Sequence, residues 1–119
     1  MASHNDLGTQ GELLAQEFLT AKGYTIIEKN YRIRRAEIDL IAIDGKYLVV
    51  VEVKTRTKSF LAPLSQAITP SKINLLIRAA NYYVQRYHIN KEVRFDVVSV
   101  LIEGESSRIE HLVDAFYHF

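Results

Sequence analysis

Asp39, Glu52 and Lys54 are spaced so that one hairpin would bring two carboxylates and an ammonium together. Carboxylate oxygens hold hard divalent cations, and a lysine beside them can offset developing negative charge. The three lie in Glu37-Ile-Asp39-Leu-Ile-Ala, an Asp-Gly pair, and a run of valines that ends Glu52-Val-Lys54. Strand side chains alternate, so Glu37 and Asp39 are expected to share a face with Ile41 and Ile43, and Glu52 and Lys54 one with Leu48 and Val50. With Asp44-Gly45 as a two-residue turn, Ile43 falls opposite Lys46 and Asp39 opposite Val50. Glu52 is then one diagonal step from Asp39, roughly 7–8 Å between backbones, and both carboxylates can reach one ion. A register slipped by one residue would turn Asp39 away.

The elements that must position these groups read in the order α-β-β-β-α-β-β. After a loose or partly helical lead-in over residues 1–8, Gly11 to Lys22 has helical periodicity, with Leu14, Ala15, Phe18 and Leu19 on one arc and Gly23 as its stop. Strands are expected over 24–32, 36–43 and 46–56, the last with a valine run that suits a strand buried on both faces. A loop covers 57–64. Thr69-Pro70 is a capping hydroxyl followed by a residue pre-set for the first helical turn. Ile73, Leu76, Ile77, Ala80, Val84 and Tyr87 then recur at helical spacing, leaving Lys72, Arg78, Gln85 and Arg86 on a basic outer face. Strands over 93–102 and 108–113 follow, around a turn at 104–107. The expected fold is a single α/β domain over residues 1–119, a mixed central sheet flanked by helices.

Composition narrows the chemistry. The chain has 119 residues and no cysteine, so thiolate sites and disulfides are excluded and any metal is held by oxygen or imidazole; carboxylates favour Mg2+ or Mn2+. There is no leader-like segment and no apolar run long enough to span a membrane, which makes a soluble cytoplasmic protein the expectation. Net charge is only +1, but it is uneven: residues 28–58 hold eight basic and five acidic side chains, 71–94 five and one, and 95–119 one and five. A basic middle around two carboxylates is the footprint of a phosphate backbone, although a solvated surface would look the same. The four histidines have no metal-ligand spacing and read as structural or incidental. Tyr83 and Tyr87 read as core.

An isolated Glu-x-Lys on a strand is usually an ion pair, but here Asp39 precedes it on the adjoining strand. That arrangement resembles the PD-(D/E)xK nuclease superfamily, with Ile38 where the family has proline. Segments Gly11-Glu-Leu-Leu-Ala15, Asn30-Tyr-Arg32, Ala36-Glu-Ile-Asp-Leu-Ile-Ala42, Val50-Val-Glu-Val-Lys-Thr-Arg56 and Arg94-Phe-Asp-Val-Val98 resemble the YraN-type family of small bacterial endonuclease-like proteins nearly end to end. Ala36 stands where that family usually has glycine. The resemblance implies a restriction endonuclease-like core and a Mg2+- or Mn2+-dependent nuclease acting on DNA phosphodiester bonds. Asp39 and Glu52, with the Val53 carbonyl, would hold an ion that polarises the scissile phosphate and acidifies a bound water, and Lys54 would orient that water.

Glu12 lies at the edge of the first helix's apolar arc and could be aimed at the metal. A first-helix glutamate of this kind joins the site in archaeal Holliday-junction resolvases, a likeness that adds branched DNA as substrate and a homodimer as assembly. Gln66 matches a polar position near the site of related nucleases. Glu37 is a secondary candidate, as a further ligand or as a partner of Lys54 or Arg56. Arg94 and Asp96 point one way on the fourth strand, as an ion pair or as support for the site. Arg32, Arg34, Arg35, Arg56, Lys72 and Arg78 are the candidate phosphate contacts. Two other readings stay open: a non-catalytic nucleic-acid-binding module of the same fold, and a protein-interaction domain with a buried charge network.

Overall fold

A computed structural model describes residues 4–57 and 68–116. In chain order the elements are α1 (His4–Ala21), β1 (Thr25–Ile33), β2 (Ala36–Asp44), β3 (Tyr47–Thr57), α2 (Pro70–Arg86), β4 (Glu92–Glu103) and β5 (Ser106–Leu112). The strands form one five-stranded sheet in the order β1-β2-β3-β4-β5, antiparallel throughout except for the parallel β3–β4 pair. A parallel pair needs a long crossover, and α2 lies within it. The result is a mixed α/β fold with the valine-rich β3 at the centre. Among the described residues no helix is long and apolar enough to cross a membrane.

Alternation along β3 divides the core. Val49 and Val51 pack with Ala15 and Leu19 of α1, together with Leu40, Ala42, Val98 and Val100. Leu48 and Val50 face the other way, against Leu76, Ala79, Ala80 and Tyr83 of α2. Each helix therefore buries its apolar stripe on one face of the sheet. Helix α1 begins earlier than its periodicity suggested, at His4, and closes with the Tyr24 N–H on the Leu19 carbonyl and the Gly23 N–H on that of Thr20. That pattern is the Schellman arrangement, and its apolar contact is present because Tyr24 and Leu19 share the α1 cluster. Helix α2 starts where its cap signal lies, with Thr69 Oγ1 accepting from the Lys72 N–H at 3.2 Å.

The β2–β3 turn differs from the expected one. Asp44 pairs with Tyr47 and Ile43 with Leu48, so the turn residues are Gly45 and Lys46, not Asp44-Gly45. Gly45 supplies the positive φ of +57°. Asp44 stays in the strand because its carboxylate accepts from Arg94 Nη1 at 3.0 Å. The register thus shifts by two residues, which preserves which side chains share a face. Continued past its last pair, Leu40–Val51, it puts Asp39 directly across from Glu52 instead of one diagonal step away.

A second departure lies inside β2. Ala36 and Ile38 pack on the α2 side, but Leu40 and Ala42 are on the α1 side and Ile41 is on the α2 side again. Alternation is reset around Asp39. The paired strand accommodates this, since Asn30 adopts a φ of 51° between Lys29, which faces Leu40, and Tyr31, which faces Ile38. Glu37 therefore does not share a face with Ile41 and Ile43. The expected glycine position, Ala36, needs no unusual backbone; Arg34, in the β1–β2 turn, takes the positive φ instead, at 54°.

Candidate active site

Asp39 sits where the β2–β3 ladder ends, and its side chain takes over from the backbone. Oδ2 accepts from the Val53 N–H at 2.8 Å. The group of Val53 expected at the site is its carbonyl; the one in contact with Asp39 is its N–H. Burial and the Glu52 charge push the Asp39 carboxyl up to about 7, against the Val53 hydrogen bond, and when protonated it donates to Glu52. Two carboxylates forced together out of water repel unless a proton or a cation intervenes.

Glu52 is only 4% exposed. Its Oε2 lies 3.4 Å from Lys54 Nζ and 4.0 Å from Lys72 Nζ. Its Oε1 is fully buried and accepts no hydrogen bond among the described residues. Burying a carboxylate oxygen without a donor is costly. Lys72, assigned from sequence to the outer face of α2, belongs instead beside Glu52, because the first turn of α2 reaches over the end of β3. Helical spacing alone could not reveal this; it depends on where the crossover delivers the helix.

Helix α1 approaches the sheet closely at Gly11, where a Cβ would overlap the Thr55 side chain of β3. The absent side chain lets the helix settle and brings Glu12 alongside a cleft of about 380 Å³ that Val53 and Thr55 also line. Glu12 hydrogen-bonds to Asn30, and burial, aided by the charges of Glu37 and Glu52, raises its carboxyl above the ordinary range despite that bond. Glu12 is thus near Asp39 and Glu52 but turned toward Asn30. Among the described residues no three His, Asp or Glu side chains lie close enough together to hold an ion as they stand. Asn30 was missed from sequence; its signal is a residue tolerant of positive φ in mid-strand.

The remaining candidates separate. Glu37 accepts from Arg32 Nε at 3.0 Å in an exposed pair, so these two occupy each other. Arg56 Nη2 donates to Ser99 Oγ at 3.0 Å, which ties it to β4. Arg34, Arg35 and Arg78 are exposed and gather around one cleft. Gln66 lies outside the described residues.

Arg94 and Asp96 form the centre of a buried network on β4. Arg94 donates to both Asp96 oxygens at 3.0 and 2.9 Å, to Asp44, and to the Tyr24 hydroxyl at 2.7 Å. Asp96 also receives His111 Nε2 at 2.8 Å and the Asp114 N–H at 3.0 Å. Burial pushes the Asp96 carboxyl up, but His111, Arg94 and Asp114 outweigh it and hold it below the usual range. This network fastens β5 and the segment after it to the sheet. His111 is structural, and no spacing in the sequence announced its partner.

Residues 11–100 match the sequence profile of the family described as "Uncharacterised protein family UPF0102". The chain belongs to the UPF0102 family. UPF0102 proteins similar to it include one of Flavobacterium psychrophilum, 48% identical over 119 residues with both chains covered completely. Another, of Christiangramia forsetii, is 42% identical, again over the full length of both. A third, of Chlorobium limicola, is 45% identical over 95% of this chain and 93% of its own. The UPF0102 match includes Glu12, Asp39, Glu52, Lys54, Lys72 and the Arg94–Asp96 pair within its span.

Proposed function

We propose that this UPF0102 chain is a metal-dependent nuclease that hydrolyses DNA phosphodiester bonds, and that its sheet is a restriction endonuclease-like core of the PD-(D/E)xK type, as in YraN-type proteins. The observation that carries the reading is the buried, donorless Oε1 of Glu52 next to the Asp39 carboxyl. A purely structural ion pair has no use for a buried carboxylate oxygen left without a donor.

The residues fit Mg2+ or Mn2+: the donors are all oxygen, and a cation between Asp39 and Glu52 would relieve their repulsion and satisfy Oε1. Asp39 and Glu52, with the Val53 carbonyl, would hold it. Such an ion, when bound, supplies Lewis-acid polarisation of a phosphoryl oxygen and a more acidic water. The chain's own part is positioning and charge. Lys54 and Lys72 flank Glu52 and offer cations to the non-bridging oxygens of a phosphodiester at the site. Glu12, released from Asn30, would hold or orient a water on the α1 side. Arg34, Arg35 and Arg78 add phosphate contacts away from the cut. Branched DNA as substrate, a homodimer and a cytoplasmic location belong to the same proposal.

The test is Mn2+- or Mg2+-dependent cleavage of linear, flapped and four-way DNA. Glu52→Ala and Lys54→Ala are expected to lower the rate by ~100-fold or more each. A purified protein that neither cuts any of these substrates nor binds a divalent ion would overturn catalysis. One observation favours a second reading, a nucleic-acid-binding module without catalysis: no three acidic or imidazole groups are gathered for an ion among the described residues. That reading expects salt-dependent DNA binding indifferent to Asp39→Asn.

A further inference from the structure

A cleft of about 440 Å³ opens between the β1–β2 turn and the flank of α2, where its sheet-facing stripe meets its exposed side, lined by Ile33, Arg34, Arg35, Ala36, Leu75, Arg78, Ala79 and Tyr82. We infer that this cleft receives one unpaired nucleotide of the DNA strand, its base against Tyr82 and the apolar wall and its phosphate among the three guanidinium groups. The inference rests on the nuclease reading for its substrate and deepens it by naming the feature recognised.

Three properties of the cleft point the same way. Its chemistry is divided: Ile33, Ala36, Leu75 and Ala79 supply an apolar wall, while Arg34, Arg35 and Arg78 have no hydrogen-bond or ion-pair partner among the described residues. Guanidinium forks match phosphate oxygens, and aromatic faces stack unpaired bases. Tyr82 is 44% exposed, available to a base. The volume suits a group of nucleotide size, since ligand pockets start at roughly 300 Å³. The turn itself is costly. Two-residue hairpin turns prefer asparagine and glycine, yet here both positions are arginine and Arg34 is held at a φ of 54°.

Placement supplies the rest. The cleft lies on the α2 side of the sheet, the side from which Lys72 reaches Glu52. Along α2, Arg78 is six residues beyond Lys72, about 9 Å at the helical rise. That is two to three nucleotide steps of a stacked strand at about 3.4 Å each. An intact duplex keeps the faces of its bases stacked inside and presents only backbone and base edges, so it offers no base face to lie against the apolar wall. A strand with a base out of the stack can, and unstacking is cheapest where pairing is already lost. The site would then choose DNA by an unpaired position near the cut and not by base sequence.

The probe is a pair of short DNA duplexes of equal length, one fully paired and one with a single unpaired 2-aminopurine two or three nucleotides from a fixed backbone position. Binding is measured by anisotropy in EDTA at constant salt, so that no cleavage occurs. The expected result is at least tenfold tighter binding of the duplex with the unpaired base, together with a change in its fluorescence. Arg78→Ala and Tyr82→Ala, both at exposed positions that leave the core intact, should remove that preference, and Tyr82→Ala, which takes away no phosphate contact, should keep the wild-type affinity for the fully paired duplex. Equal affinity of the wild-type protein for the two duplexes would overturn the inference, and so would a preference unchanged in both variants. Cleavage assays separate the two proposals: metal-dependent cutting without the preference sinks only the cleft, and the preference without cutting under any divalent ion sinks only the nuclease.

Discussion

Burial and the Glu52 charge raise the Asp39 carboxyl from its ordinary value near 3.9 to about 7, and the consequence for stability has a definite sign. Between those values the folded chain binds more protons than the unfolded one, so stability falls as pH rises from about 4 to 7 and stays low above. Asp39→Asn removes the penalty and keeps an oxygen for the Val53 N–H. In EDTA the variant should melt above the wild type, with the gap opening between pH 4 and 7 and amounting to roughly 1–3 kcal/mol at pH 8. Saturating Mn2+ should narrow the gap by stabilising only the wild type. A variant no more stable than the wild type at pH 8 would contradict this account. Under the nuclease proposal the same substitution should also abolish cleavage, which would make the residue that weakens the fold the one on which that proposed chemistry depends.

Helix α1 meets β3 through the missing side chain of Gly11. Gly11→Ala must push the helix outward or distort Thr55, at a cost of about 1–3 kcal/mol, and carry Glu12 away from the cleft. Thr55→Ala in the same chain should recover part of the loss, and a double-mutant cycle by denaturant titration measures it. Other elements were more legible. The valine run marked β3 as central, and Thr69-Pro70 marked the start of α2, because a buried strand and a capped helix each leave a local chemical signature. The turn register was misplaced by two residues because Asp-Gly is the favoured turn pair, while Arg94, fifty residues away, holds Asp44 in the strand. The reset of alternation at Asp39 was invisible, since it depends on Asn30 across the β1–β2 pair. The proximity of Asp39, Glu52 and Lys54 could be read from sequence because parity survives a shift of two. The positions of Lys72 and Glu12 could not, because they depend on how helices dock.

At the scale of the whole molecule, the Arg94–Asp96 network joins β4 to Tyr24 ahead of β1, to Asp44 of β2, to His111 of β5 and to Asp114 in the segment after β5. Removing one partner of such a set strands the other, so Asp96→Asn should cost about 3–5 kcal/mol. The Asp96 carboxyl is held below its ordinary value, so its contribution is present above about pH 4 and is lost as pH falls through the lower folded value. The wild type should therefore lose stability steeply on acidification, and the variant, already without that contribution, should show a flatter acid limb in denaturant midpoints. Equal slopes would refute the assignment. Asp39 and Asp96 thus act in opposite directions on either side of pH 4.

The hydrogen bond from the Val53 N–H to Asp39 makes one backbone amide a built-in reporter. In a nitrogen–proton correlation spectrum, the Val53 resonance should titrate with a midpoint near pH 7, following a side chain on another strand. Divalent ions should move the same peak without any change of pH. A single spectral line would then record the ionisation of one acid and its occupancy by metal, with no substrate in the tube.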